Sequence, residues 1–124
     1  MGHPIRITSG EISLAAELND SSTAAAILAA LPIEASGNRW GEEIYFAIPI
    51  KEKAAADARA DMEVGELAYW PPGNACCIFF GPTPASEGEL PRAASPVNPI
   101  GRVLDDLAPL SGVPDGATVR IEKS

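Results

Sequence analysis

Two adjacent cysteines, Cys76 and Cys77, are the residues of this sequence that most directly suggest chemistry. A thiol pair could exchange electrons or bind a metal, but neighbouring residues of a strand point to opposite faces. Their Cα atoms are about 3.8 Å apart, shorter than the usual disulfide span. The chain has no CxxC motif and a single histidine, His3, so a zinc site lacks ligands. We predict that both cysteines pack as small buried side chains, and one reactive thiol is the alternative.

Two pairs of adjacent carboxylates, Glu42-Glu43 and Asp105-Asp106, have the composition that general acid–base catalysis uses. Adjacent side chains on a strand point apart, so each pair should divide into one solvated and one structural carboxylate. Asp105 and Asp106 could simply cap the short helical turn that follows them. The pattern therefore favours structural roles over a catalytic dyad.

Recognisable motifs of several large enzyme classes are missing from the sequence. It contains no GxSxG, no HExxH, no paired-cysteine zinc spacing and no glycine-rich phosphate loop. This argues against the hydrolase, kinase and zinc-protease classes. We predict no metal and no cofactor.

Aromatic side chains concentrate in the stretch AYWPPGNACCIFFGPTP, residues 68–84. Alternation along paired strands directs about half of these rings inward, where core packing explains them. The remaining rings could form one wall of a ligand groove, with the proline-bearing segment 81–98 as the other wall.

Three arginines, Arg39, Arg102 and Arg120, lie in or beside predicted strands. We expect them to be surface charges or to pair with Glu42, Glu43 or Glu122. An arginine inside a concave apolar site would instead bind a carboxylate or polarise a carbonyl. Arg39 is the strongest candidate because it precedes Trp40-Gly41, where glycine permits close approach. The candidate ligand-binding residues are Arg39, Tyr45, Tyr69, Trp70 and Phe80.

The composition indicates one globular domain spanning residues 1–124, with 46% hydrophobic and 21% charged residues. The net charge is −8 without any basic tract, so nucleic acid and anionic membranes would be repelled. No apolar run approaches the roughly 20 residues that cross a bilayer, and the N-terminus lacks the apolar core of a signal peptide. We expect a cytoplasmic protein whose partner is a small molecule or a peptide, and a homodimer stays open.

The hydrophobic periodicity predicts a mainly β chain with one helix at about residues 21–31. In that helix Ala24, Ile27, Leu28 and Leu31 fall on one face. Polar N-cap residues precede it, and Pro32 ends it.

The remaining elements are predicted as strands joined by turns. Ile44, Phe46 and Ile48 alternate on one face of a strand, with Tyr45 on the other. A short strand is expected near 58–62, and two longer arms within 66–80 are joined by a type II turn with positive φ at Gly73. Segment 81–98 is expected to be a long loop. The count is about eight strands, which closure into a barrel would leave without exposed edges.

Three ordered segments, WGEEIYFAIP, VGELAYWPPGNACCIFFGPTP and SPVNPIGRV, together resemble the small prokaryotic cyclophilin-like domain family of uncharacterised function. The resemblance covers most of the chain and implies a closed or near-closed eight-stranded barrel with one covering helix. It does not imply prolyl isomerisation. True cyclophilin enzymes carry a Phe-His-Arg segment followed by a Gln-Gly-Gly-Asp segment, and neither occurs here, so no catalytic residue is carried over.

Two functions fit these observations. The first is a non-catalytic binding module that holds a small molecule or extended peptide in a groove lined by aromatic and proline residues. The alternative is a diverged peptidyl-prolyl cis–trans isomerase that lacks the usual His and Gln pocket residues. The missing pocket residues favour the binding module.

Overall fold

The computed structural model describes residues 2–124, and alternating apolar residues form the inner faces of its strands. Over that range there are ten strands and one α-helix. In chain order they are β1 His3–Ser9, β2 Ile12–Leu18, α1 Ser22–Ala30, β3 Ile33–Ser36, β4 Asn38–Arg39, β5 Glu43–Ala47, β6 Arg59–Asp61, β7 Glu66–Trp70, β8 Ala75–Phe79, β9 Arg92–Val103 and β10 Thr118–Lys123. The prediction of a mainly β chain with one helix is confirmed.

The strands form one antiparallel sheet in the order β3-β10-β1-β2-β9-β7-β8-β5-β4, and β6 pairs with β9 outside this path. The two ends of the path, β3 and β4, follow each other in the chain and are joined at Gly37. Within residues 2–124 no hydrogen-bonded ladder joins these two strands, so the predicted closed barrel is not confirmed. The strand β6, Arg59–Asp61, confirms the short strand predicted near 58–62. The two-residue strand β4 was not predicted, because two residues are too few for a periodic signal.

The helix forms where it was predicted. The Ser21 hydroxyl accepts a hydrogen bond from the Ala24 N–H at 3.2 Å and satisfies one free donor of the first turn. Thr23, Ala24 and Ile27 are buried against the sheet. Among the described residues, no helix is both long and apolar enough to span a membrane.

The main core lies between α1 and the inner face of the sheet. It holds Ile44 and Phe46 of β5 and Ile48 just after it, which were predicted to share one face, and Ile50 of the same predicted face packs against it partly buried. Tyr69 and Cys76 belong to it as well, from β7 and β8. In each of these strands, the residues on the inner face therefore pack into the main core.

The outer face of β5, β7 and β8 carries a second set of packed residues, which we call the outer-face cluster. Its buried members are Met62, Ala68, Cys77, Phe79, Ala93 and Val97, with Tyr45 and Trp70 packed against them. Cys76 and Cys77 thus lie on opposite faces of the sheet, as predicted, and both are buried and free.

Strand β9 covers the outer-face cluster because it changes partners along its length. Its second half pairs with β2 and β7, whereas its first half pairs with β6. The expectation of a loop over 81–98 is therefore wrong from Arg92 onward. Pro96 hides the first half of this strand from sequence reasoning, although prolines are tolerated where a ladder is irregular, as the β6–β9 register is between Arg92 and Val97.

The turn between β7 and β8 differs from the predicted type II turn. Residues Pro71–Gly73 form one 3₁₀ turn, and the positive φ of 47° occurs at Asn74 rather than at Gly73. Asparagine tolerates this conformation, and the Asn74 Oδ1 lies 3.0 Å from the Tyr69 hydroxyl, which holds it in place.

Gly101 lies in the centre of the sheet, opposite Leu18 in β2 and Leu67 in β7. A Cβ atom at Gly101 would lie 2.0 Å from the carbonyl oxygen of Glu17. We expect Gly101→Ala to lower the free energy of unfolding by at least about 2 kcal/mol, because the strands must separate. Urea unfolding measures this, with Gly88→Ala as the control since nothing lies near that position. Equal stability of the two variants would contradict the packing described.

Candidate functional site

A cavity of about 220 Å³ opens on the outer face of the sheet, and we call it the outer-face cavity. It lies between β5, the adjacent arms β7 and β8, and the first half of β9. Its lining residues are Trp40, Glu43, Tyr45, Trp70, Cys77, Ala93, Ala94 and Val97.

The strand register explains why these side chains meet. Tyr45 in β5 pairs with Cys77 in β8, and Cys77 pairs with Ala68 in β7. Directly paired residues of antiparallel strands share a face, and residues two apart share it too. Glu43, two residues before Tyr45, therefore joins the same outer face.

The aromatic wall of the cavity is held in place by packing and by one hydrogen bond. The rings of Tyr45 and Trp70 meet edge to face, with centroids 6.5 Å apart and planes at 68°. The Trp70 indole N–H donates to the Ser95 hydroxyl at 2.7 Å. A Cβ atom at Gly73 would lie 2.7 Å from the same indole, so this glycine makes room for the ring.

Glu43 supplies the one carboxyl of the cavity lining. Its residue surface is only 5% exposed, and no ion pair to it is found among residues 2–124. The nearby Cys77 thiol is only a weak donor, and its Sγ lies 4.0 Å from the Ala75 carbonyl oxygen. Burial raises the pKa of the Glu43 carboxyl to about 7, and the interaction with Cys77 opposes this shift only in part. The carboxyl can therefore gain or lose a proton near neutral pH.

The adjacent residue Glu42 behaves differently, as the alternation of a strand requires. Its side chain is 41% exposed and lies 3.8 Å from the Arg39 guanidinium. The two carboxylates therefore point apart as predicted, but the expected structural role of the second is replaced by a position in the cavity lining. Sequence reasoning nevertheless missed Glu43 as a site residue. The signal was its position two residues from Tyr45, on the face opposite Ile44 and Phe46.

The two thiols are poorly suited to nucleophilic chemistry. Burial raises the pKa of Cys76 to about 12. Burial, together with the nearby Glu43 carboxylate, raises the pKa of Cys77 well above its ordinary value. Both thiols stay protonated at neutral pH, whereas the thiolate is the reactive form. Among the described residues, no group of three His, Cys, Asp or Glu side chains could hold a metal ion.

Of the five residues predicted to bind a ligand, the structure brings Tyr45 and Trp70 together at the cavity. Tyr69 lies in the main core, fully buried, and its hydroxyl accepts a hydrogen bond from the Glu52 N–H at 3.1 Å. Phe80 packs on the edge of the main core. A binding role for any of the five stays a prediction.

Arg39 lies outside the cavity lining and is occupied by contacts within the protein. Its guanidinium is 5.1 Å from the centroid of the Phe80 ring. It donates to the carbonyl oxygens of Ser111 at 3.2 Å and Val113 at 2.7 Å, and also to that of Gly41. The space beside Gly41 is filled by Pro84 of the neighbouring loop, so it is not open to a ligand.

The surface ion pairs expected for the arginines are found in most cases. Arg39 pairs with Glu42, and Arg120 lies 3.6 Å from Glu122. Arg102 pairs with Glu17 at 3.0 Å. Glu43, the third candidate partner, forms no ion pair among the described residues because its side chain lines the outer-face cavity.

The raised pKa of Glu43 predicts a pH-dependent stability. Its carboxyl binds a proton more tightly in the folded protein, with a pKa of about 7, than in the unfolded chain, where the ordinary value is 4.5. Stability is therefore full below pH 4.5 and falls as the pH rises to about 7, by up to about 3 kcal/mol. Glu43→Gln should remove this fall and be more stable than the wild type at pH 8.

Denaturant unfolding at pH 5 and pH 8 provides the measurement. Glu42→Gln is the matched control, since that neighbouring carboxyl is half-exposed and weakly paired. The control should keep the loss of stability between the two pH values. A wild-type stability that does not change over this range would contradict the burial described for Glu43.

Comparisons with known proteins identify a family and related solved structures. The family model described as Cyclophilin-like matches residues 3–122. The solution structure of a hypothetical protein from Archaeoglobus fulgidus is similar to this chain, with 38% sequence identity and a TM-score of 0.82. The match covers 99% of this chain and 95% of that chain. No curated protein matches the chain.

The family suggested by the three sequence segments is therefore the one that the comparisons find. The match extends from the first strand into the last and includes every residue of the outer-face cavity. The chain belongs to the Cyclophilin-like family.

Proposed function

We propose that the protein is a non-catalytic binding module and that the outer-face cavity takes up a small molecule. The observation that carries this proposal is the lining of the cavity. It combines three half-buried aromatic rings, those of Trp40, Tyr45 and Trp70, with a buried carboxyl that has no basic partner among the described residues. Apolar pockets with a few converging polar groups are the usual form of small-molecule sites.

The volume of the cavity restricts the ligand. Sites for drug-sized molecules measure roughly 300–1,000 Å³, and this cavity is smaller, at about 220 Å³. It suits a single ring or a short branched chain. An extended peptide would place one side chain in it.

Fixed walls also favour binding. The Trp70 ring is held by Ser95 and Gly73, so it loses little freedom when a ligand arrives. A site that is already ordered spends less of its contact energy on ordering side chains.

The alternative function, a diverged prolyl isomerase, has less support. Its arginine would have to reach the substrate in the groove. Arg39 instead bonds to carbonyl oxygens of Ser111 and Val113, and the cavity lining contains no arginine. Glu43 would be the charged group nearest to any substrate bound there.

Intrinsic fluorescence gives a direct test, because both tryptophans of the chain line the outer-face cavity. We expect single-ring fragments to change this fluorescence with dissociation constants of about 1 mM or tighter. Trp70→Ala should weaken binding at least about tenfold by removing one wall, as measured by ligand-observed NMR. Leu104→Ala is the control, since it removes an exposed apolar side chain that lies outside the cavity lining. Equal weakening by both variants would contradict the proposal.

An isomerisation assay on a proline-containing tetrapeptide separates the two functions. We expect the protein to leave the uncatalysed rate of cis–trans exchange unchanged, because no cation faces the cavity. Acceleration by the wild type that disappears in Arg39→Ala would establish the isomerase and overturn the binding module.

A further inference from the structure

We infer that the outer-face cavity selects small molecules that carry a protonated amine on a short apolar body, and that Glu43 is the group that receives the amine. The inference rests on the proposed binding function and adds the charge of the ligand to it. Three features carry it: the unused capacity of the Glu43 carboxyl, the rings around it, and the absence of a compensating cation among the described residues.

The Glu43 carboxyl has more hydrogen-bonding capacity than the protein uses. An ionised carboxylate offers about four acceptor positions. Among the described residues the thiol near it is that of Cys77, a weak donor whose Sγ lies 4.0 Å from the Ala75 carbonyl oxygen. No fully buried side-chain oxygen or nitrogen of the described residues lacks a partner, so the Glu43 oxygens are open to the cavity. A donor with several N–H groups, such as an ammonium, would supply the missing bonds.

The walls next to Glu43 suit a cation with a short apolar stem. Trp40, Tyr45 and Trp70 line the same cavity, and the electron-rich faces of such rings attract cations. On the other side Ala93, Ala94 and Val97 offer small apolar surfaces. An aromatic or branched aliphatic stem would pack between these two walls.

The groups around the cavity do not offset the negative charge of an ionised Glu43. From β8 the facing titratable group is the Cys77 thiol, and on β5 it is the Tyr45 phenol. The lining residues from β7 and β9 carry no charge. Arg92, at the start of β9, lies outside the lining, 3.7 Å from Asp61 and 3.6 Å from Glu87.

The arginine of β4 does not compensate Glu43 either. Its guanidinium lies over the Phe80 ring and 3.8 Å from Glu42. With a net charge of −8, the protein attracts cationic ligands and repels ligands that bear a carboxylate.

The pH dependence of binding distinguishes an amine from a neutral ligand. An ammonium pairs with the ionised form of Glu43, whose pKa is raised to about 7 by burial. Affinity for an amine should therefore rise as the pH rises, by about tenfold between pH 6 and pH 8. A ligand that accepts a hydrogen bond from protonated Glu43 would show the opposite trend.

The experiment compares benzylamine with benzyl alcohol, which has nearly the same shape but no charge. Tryptophan fluorescence follows both titrations at pH 6, 7 and 8 at constant ionic strength, and benzylamine stays protonated throughout. We expect benzylamine to bind at least about tenfold more tightly than benzyl alcohol at pH 8. Glu43→Gln should remove this preference and the pH dependence. Glu42→Gln should behave as the wild type.

The outcomes separate the inference from the proposed function. If both probes bind equally well, or if benzylamine binds Glu43→Gln with unchanged affinity, the inference is overturned and the binding function stands. If neither probe binds any variant at millimolar concentration, the binding function and the inference are both overturned. Should Glu43→Gln fail to fold, the pH profile of the wild type decides, because falling benzylamine affinity with rising pH contradicts an ionised receptor.

Discussion

The packing of the first half of β9 on the outer face of the sheet is the contact on which the rest of this structure depends. Ala93 and Val97 lie against Cys77 and Phe79, and Met62, next to β6, completes the cluster. Without this cover, one face of β7 and β8 would expose its apolar residues to water. With it, the chain has two apolar layers, and the gap between β9 and the aromatic rings becomes the outer-face cavity.

This packing also changes how readily the Glu43 carboxyl ionises. A carboxyl between aromatic rings and a thiol loses most of its hydration, and no nearby charge restores the lost energy. The protein tolerates a group that destabilises it when ionised. Groups with perturbed pKa values in clefts are candidates for function on physical grounds. Here the group lines a small aromatic cavity, and this combination is the basis of the proposed ligand binding.

Family membership establishes the fold of this protein and leaves its activity to the side chains. The Cyclophilin-like match and the archaeal structure agree over nearly the whole chain. The same fold can support unrelated functions, because function depends on the particular groups placed in a site. In this chain the strand arginine near the aromatic segment stabilises a neighbouring turn, through the carbonyl oxygens of Ser111 and Val113. The carboxyl that faces the cavity comes from β5 instead.

The sequence by itself determined the features that depend on neighbouring residues. The α-helix, the two faces of β5 and the separation of Cys76 from Cys77 all follow from periodicities of a few residues. Tertiary structure decided the features that depend on distant pairing. These are the path of β9 through Pro96 and Pro99, the open ends of the sheet, and the cavity itself. Local pattern fixes which face a side chain occupies, but only the pairing of distant strands fixes which neighbour meets it there. The face that Glu43 occupies could therefore be predicted from the sequence, but the neighbours that surround it there could not.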